Sequence, residues 1–319
     1  MKHALPLVAG ALIALGCSSK TVNPGGTGGD GSGSGGAGSS VGSGAGPGSG
    51  GSDGVTVGGG VGGGIVGTHE VGISQSQVAP GVENTVCVIL SMDNPAAAMI
   101  RSIRTHLSEG SHHLIITKID GGVEQPNPEP CGAFAHGGDA LFIAEKPEMQ
   151  LTYPDGAGMP VTANQLMGLE MHYINYTTGP IDITGSVEFD LADDDGTLKE
   201  VFLLFEGNLS LSIPPQSQQT FESTHSVPND AKIFAVTSHT HQLGTYASIR
   251  KQGPGGDQLL HESFDWADPP FDAFDPPMVF GAGDSLRLRC DFNNTTNQTV
   301  NFGTSFYDEM CFLWAHYTL

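Results

Sequence analysis

The side chains best suited to chemistry in this sequence are histidines, 12 in all, and their placement decides which of them could act together. His239-Thr240-His241 follows the strand-like run Lys232-Ile233-Phe234-Ala235-Val236. Residues two apart on a strand project from one face, so both imidazoles can meet one metal ion, and Gly244 lets the chain turn just beyond. His112-His113 precede the apolar run Leu114-Ile115-Ile116. Neighbours on a regular strand face opposite ways, so joint ligation by this pair requires a bulge or a strand end, for which Gly110-Ser111 make room. His172 lies in the alternating run Leu169-Glu170-Met171-His172-Tyr173, which aims Glu170 to the same side, as a cleft or supporting carboxylate or as a solvated one. Met310, in Tyr307-Asp308-Glu309-Met310-Cys311-Phe312, would be a soft thioether ligand that suits copper, above all Cu(I), rather than zinc or magnesium. Taken singly, each has an ordinary reading too: surface or core histidines, and a methionine that fills a core.

Strands are the elements that must hold these side chains. Period-two alternation runs through Gly185-Ser186-Val187-Glu188-Phe189, Leu209-Ser210-Leu211-Ser212-Ile213 and Ser285-Leu286-Arg287-Leu288-Arg289. Turn residues punctuate it at Pro126-Asn127-Pro128, Pro154-Asp155-Gly156 and Pro214-Pro215. No long stretch with a helical period follows the first residues. The pattern predicts an all-β fold of two tandem antiparallel sandwiches, residues 68–192 and 193–319, which meet in the acidic stretch from Asp190 to Asp195 with Gly196.

The first residues bear on compartment. Met1-Lys2-His3 is a short basic start, Leu5 to Leu15 is apolar, and Gly16-Cys17 follows. That layout predicts a lipoprotein-type signal over residues 1–17, with lipid on Cys17, or ordinary secretion with cleavage nearby. Ser18 after the cysteine points to sorting to an outer membrane or cell surface. Residues 18–67, almost all Gly, Ser, Thr, Ala and Val, read as a flexible tether whose ends sit on the order of 40 Å apart. A net charge of -22 excludes a phosphate-binding face, so no nucleic-acid partner is expected. Contact with a membrane is expected only through the lipid. With Cys17 lipidated, Cys87, Cys131, Cys290 and Cys311 remain, and an even number in an exported chain suggests two disulfides. Three connectivities are open; local order favours Cys87–Cys131 and Cys290–Cys311.

In combination these residues resemble the copper type II, ascorbate-dependent monooxygenases, the group of peptidylglycine α-hydroxylating monooxygenase and dopamine β-monooxygenase. The resemblance lies in His112-His113, His172 before Tyr173, His239-Thr240-His241 with Gly244, and Asp308-Glu309-Met310-Cys311, in order and at similar spacing. Pro154-Asp155-Gly156-Ala157-Gly158 looks like the family's glycine turn, and Arg289-Cys290-Asp291-Phe292 like the strand that supplies the partner of Cys311. The resemblance implies two sandwiches of jelly-roll type, each with one copper, facing one another across an open, solvent-filled cleft. It implies that His112, His113 and His172 hold an electron-transfer copper, and that His239, His241 and Met310 hold the copper where O2 is reduced and a substrate C–H bond is hydroxylated. Two copper ions per chain, with ascorbate or another one-electron donor as cosubstrate, follow from it. His69, His106, His136, His225, His261 and His316 match no ligand and read as surface or structural.

The sequence departs from its peptide-processing relatives at two positions. Thr237 stands where they carry an arginine that holds the substrate carboxylate, and Trp314 where they carry a tyrosine. The expected substrate is therefore a small molecule, uncharged or cationic with an aromatic or aliphatic body, rather than a glycine-extended peptide. Arg287 or Arg289 would restore a carboxylate clamp only by turning into the cleft, and alternation places them on the exposed face. The competing reading is a surface lipoprotein that captures or senses copper without turnover.

Overall fold

β-branched and aromatic residues recur at strand spacing from Ile65 onward, and the described residues form strands and turns with no helix among them. The computed structural model describes residues 53–56, 64–132, 134–135 and 137–319. The expected signal with Cys17, the expected tether apart from 53–56 and 64–67, and His136 lie outside the described residues. In the N-terminal half the strands are β1 (Asp53–Thr56), β2 (Ile65–Val78), β3 (Glu83–Ser91), β4 (Ala98–Leu107), β5 (Ser111–Ile119), β6 (Gln125–Pro130), β7 (Asp139–Ala144), β8 (Glu148–Thr152), β9 (Ala157–Val161), β10 (Leu166–Ile174) and β11 (Ile181–Asp193). The C-terminal half contributes β12 (Lys199–Gly207), β13 (Ser212–Ile213), β14 (Ser217–Ser226), β15 (Lys232–Thr240), β16 (Gly244–Gly253), β17 (Gly256–Ser263), β18 (Asp272–Val279), β19 (Ser285–Asn294), β20 (Val300–Asn301) and β21 (Cys311–Thr318).

The sheets stack as sandwiches. In the first half, the sheet β6-β3-β10-β5-β7 covers the strands β2, β11, β4, β8 and β9, with Ile100, Ile103, Leu114, Phe142, Leu169 and Phe189 packed between them. In the second, β14-β19-β16-β17 covers β12-β21-β15-β18, with Ile233, Ile249, Leu286, Leu288 and Leu313 between them. A short parallel pairing of β9 with β12 joins the two large sheets edge to edge, so the described residues form one compact unit. Cys87–Cys131 and Cys290–Cys311 are disulfide-bonded, as local order suggested.

Strands β15 and β21 are buried on both faces. Along β21, Cys311, Leu313 and Ala315 point into the core of their own sandwich. Phe312 and Trp314 point the other way and pack with Ile115, Ile143 and Met310 in a cluster drawn from both halves. That double burial explains the unbroken apolar runs in the sequence, since a strand covered on both sides has no wet face to alternate with.

Three local expectations change. Pro126 and Pro128 sit within β6 rather than in a turn, on the edge of the sheet, where a missing N–H costs no ladder bond. Leu209 and Ser210 form a turn in which the Asn208 side chain accepts the Ser210 N–H (2.9 Å), so only Ser212–Ile213 of that run is strand. At the start, β1 pairs in parallel with β8 and β2 begins at Ile65, so ordered pairing enters the stretch read as tether.

Candidate metal centre

The N-terminal histidines meet because of a bulge. β10 and β5 pair with His172 opposite His113 and Tyr173 opposite Ser111, which leaves His112 as the extra residue. Gly110 begins the bend at φ +88°, and a Cβ there would press on the Ile181 and Ile183 side chains. The three imidazoles consequently converge, with ring centroids 5.1–5.3 Å apart. Among the described residues these three form the one group of His, Cys, Asp or Glu side chains whose ligand atoms all lie within 4.8 Å of one another.

On the C-terminal side His239, near the end of β15, and His241, just past it, have ring centroids 5.0 Å apart. The turn after them is closed by the Gly244 N–H donating to His241 O (2.9 Å), and a Cβ on Gly244 would collide with Thr240. Met310 enters from the loop before β21. Buried Glu309 ties that loop to the histidines, accepting the backbone N–H groups of Leu243 (2.6 Å), His241 (2.9 Å) and Met310 (3.3 Å). Burial raises the Glu309 carboxyl to about 7 against the pull of those bonds.

Two of these imidazoles have one nitrogen fixed and the other open, and a third is fixed at one nitrogen. His172 Nε2 bonds Glu83 Oε1 (2.9 Å), and its Nδ1 is buried without a partner. His241 Nδ1 donates to Asp308 O (2.9 Å), and its Nε2 is buried without a partner. His239 Nδ1 is paired with the Glu145 carboxylate. In the bulge, His112 Nδ1 and His113 Nδ1 face one another at 3.1 Å. Burial holds His112 down to about 2 and His241 to about 3, with neighbouring imidazoles adding to it, so both stay neutral with a lone pair available. Burial likewise keeps His113 well below the usual range. Burial opposes ionisation of Glu83, yet the bonds from His172 and the Phe306 N–H outweigh it and hold this carboxyl below its ordinary value.

The open cleft implied by the resemblance is absent. His112 lies 5.7 Å from His241 and 6.4 Å from His239 between ring centroids, and His113 lies 6.2 Å from His239. Two carboxylates of the N-terminal half bridge to the other half: Glu145 to His239, and Glu83 to the Phe306 N–H (2.6 Å). The apolar cluster of Ile115, Ile143, Met310, Phe312 and Trp314 removes further surface from water behind them, and that burial favours closure.

A small cavity of about 30 Å³ adjoins both sets, lined by Ile115, Phe134, Phe205, Phe312 and Trp314, with His113, His239, Glu145 and Met310 at its edge. Trp314 is thus a buried wall, its ring tilted 35° over His239 at 6.0 Å. Thr237 does not enter the cavity; its hydroxyl donates to Pro270 O (2.7 Å). Glu170 stands behind the cavity, its carboxylate accepting the Phe134 N–H (2.6 Å), and burial raises it to about 7. Arg287 and Arg289 lie in the far sheet, ion-paired with Glu222 (2.5 Å) and Asp291 (2.9 Å). Glu83 and Glu145 were not singled out from the sequence. Of the unmatched histidines, His261 and His316 are buried and hydrogen-bonded.

Buried imidazoles with one nitrogen anchored and the other open, beside a thioether, are donors of the kind that suit copper. Residues 201–318 match the family model for the copper type II ascorbate-dependent monooxygenase, C-terminal domain. Among solved structures the chain is similar to the major capsid protein P2 from Bacteriophage PM2 (8% identity, 78% of this chain and 97% of that one, TM-score 0.36). It is also similar to peptide:N-glycanase F (9% identity, 77% and 95%, TM-score 0.35) and the STIV MCP (9% identity, 80% and 95%, TM-score 0.32). Scores of that size establish no common fold.

Proposed function

We propose that this protein is a copper-dependent monooxygenase that hydroxylates a C–H bond of a small organic substrate, with His112, His113 and His172 around one copper and His239, His241 and Met310 around a second. The observation that carries this reading is the set of anchored imidazoles with their second nitrogen open, at His172 and His241 above all. Copper, when bound, supplies one-electron redox chemistry and coordination positions open to O2. In balance, the substrate C–H becomes C–OH, and the second oxygen atom leaves as water once two electrons and two protons have been supplied. Glu83, Glu145 and the Asp308 carbonyl fix the imidazole tautomers and ring directions.

The cavity supports a substrate class. Its wall of Ile115, Phe134, Phe205, Phe312 and Trp314 would favour an apolar or aromatic body once it opened, and among the described residues neither lysine nor arginine lines it. A substrate carboxylate would be left unpaired, whereas an amine could lie against Glu145. Ascorbate-driven oxygen uptake by the copper-loaded protein tests this. A neutral or amine-bearing aromatic should be turned over in preference to a glycine-extended peptide by roughly 10- to 100-fold in kcat/KM, the equivalent of the missing charge-assisted bond at about 1.5–3 kcal/mol. Efficient turnover of the peptide that is lost on amidating its terminus would overturn the substrate class; copper binding without oxygen uptake for any substrate would overturn the enzyme. Lipid on Cys17 would hold the domain at the cell envelope, and Cys17→Ser should then move it from the membrane to the soluble fraction.

A further inference from the structure

The sheet β14-β19-β16-β17 turns one face to the core of its sandwich and the other to solvent, and the outer face is polar. On it Gln218 stands opposite Asn293 and Thr220 opposite Asp291, two successive rungs of the β14–β19 ladder. The β16–β19 register slips between Gly244 and Tyr246, which leaves Thr245 as the extra residue of a bulge. Its hydroxyl donates to Asp291 O (3.1 Å). At this end of the sheet lies an open groove of about 370 Å³, lined by Gln218, Gln219, Thr220, Thr245, Asp291 and Asn293. The apolar cavity at Met310 holds only about 30 Å³, so the groove has room for a ligand where the cavity has not.

The groove is polar without a free charge. Its one carboxylate, Asp291, accepts two bonds from Arg289 (3.0 and 2.9 Å) and one from the Thr220 hydroxyl (2.7 Å). The side-chain amides of Gln218, Gln219 and Asn293 have no hydrogen-bond partner among the described residues. Each amide holds a donor and an acceptor in one plane, a match for neighbouring hydroxyls that each donate and accept. Beside the groove, Tyr246 stands opposite Asp291, and its ring meets that of Phe264 at 5.0 Å. Phe264 is 72% exposed, so it keeps ring surface in water, and the C–H face of a pyranose can rest on such a surface. An anionic glycan would find no unpaired cation in the lining and a chain of net charge -22. An extended peptide would gain more by pairing with the outer edge of β14 than by lying across side chains.

We propose that this groove binds a neutral polysaccharide, with hexose hydroxyls on the amides of Gln218 and Asn293 and a sugar ring against Phe264. None of these residues belongs to either histidine set, so the inference stands apart from the copper chemistry. Such binding would hold the protein on a carbohydrate surface, whatever it oxidises there.

The full chain, metal-free and copper-loaded, is titrated calorimetrically with cellohexaose, laminarihexaose and mannohexaose. Hexagalacturonate is the anionic counterpart, and a decapeptide of alternating threonine and glutamine is the strand-forming one. Saturable binding of at least one neutral hexaose is expected, equal with and without copper. Gln218→Ala, Asn293→Ala and Phe264→Ala should each weaken it by about tenfold, the loss of one direct contact. Thr224→Ala, farther along the outer face of β14, should leave it unchanged. No saturation by any of the three hexaoses would overturn the proposal. So would tighter binding of the galacturonate or the peptide, or parental affinity in Gln218→Ala combined with Asn293→Ala.

Discussion

The two histidine sets reach similar spacings by different means. The N-terminal triad is local: two neighbouring strands and one bulge bring three imidazoles together, and Glu83 secures one of them from β3. The C-terminal set takes two imidazoles from the end of one strand and just past it and its sulfur from a loop some seventy residues later, held by Glu309 beside the Cys290–Cys311 bond. A site of imidazoles alone serves copper in either oxidation state, while a thioether favours the reduced ion. On the function proposed above, the first set would pass electrons and the second would meet oxygen.

The largest test of that contrast is deletion. His172→Ala should lower bound copper from two to one per chain, and His239→Ala should remove the other, as read by metal analysis and by the distinct spectra of the remaining ion. Zinc retained at both sites in copper-rich medium would break the assignment for both. A smaller effect is expected from the supporting carboxylates. Glu83→Gln should weaken copper at the first set, and Glu145→Gln at the second, each by about 10- to 100-fold. If either variant weakened both sites equally, the sets would have to be regarded as one unit, which their ring contacts of 5.7–6.4 Å make a sharp question.

A third test concerns His316, which belongs to neither set. It sits among Phe142, Tyr153, Phe234 and Phe271, with Nε2 donating to Leu141 O (3.0 Å) and Nδ1 without a partner. Burial holds it down to about 4, so the folded state keeps it neutral where the unfolded chain binds a proton. Its stabilising contribution is complete above pH 6.5 and is lost as pH falls toward 4, by at most about 3 kcal/mol. Denaturant unfolding of metal-free protein and of His316→Phe, compared between pH 7 and 4.5, should show a shallower loss in the variant; parallel curves would count against it.

Much of the site was legible where it is local. Two adjacent histidines after a glycine call for a bulge, which is found, and His239 and His241 lie close together although β15 ends between them at Thr240. Met310 carried no local signal and was named through resemblance, since its partners are distant in sequence. Glu83 and Glu145 gave none either: they sit 89 and 94 residues from the histidines they hold, a relation that only the folded chain creates. The closed approach of the two sets was missed for the same reason. Its trace in the sequence was the run Cys311-Phe312-Leu313-Trp314-Ala315, apolar at every position, which signals a strand with no wet side.

That strand and its neighbour β15 act as a party wall. Phe234, Phe312, Trp314 and His316 face the N-terminal half, while Ile233, Val236, Leu313 and Ala315 face the other, so each side's tenant depends on the same masonry. A fragment that began at residue 201, where the family match begins, would present those large rings to water. Substitutions along the wall are likewise constrained from two directions: a bulkier residue at 313 shifts the strand that also seats Trp314 against His239. Neither half can remodel its own interior along this wall without moving side chains that the other half packs against.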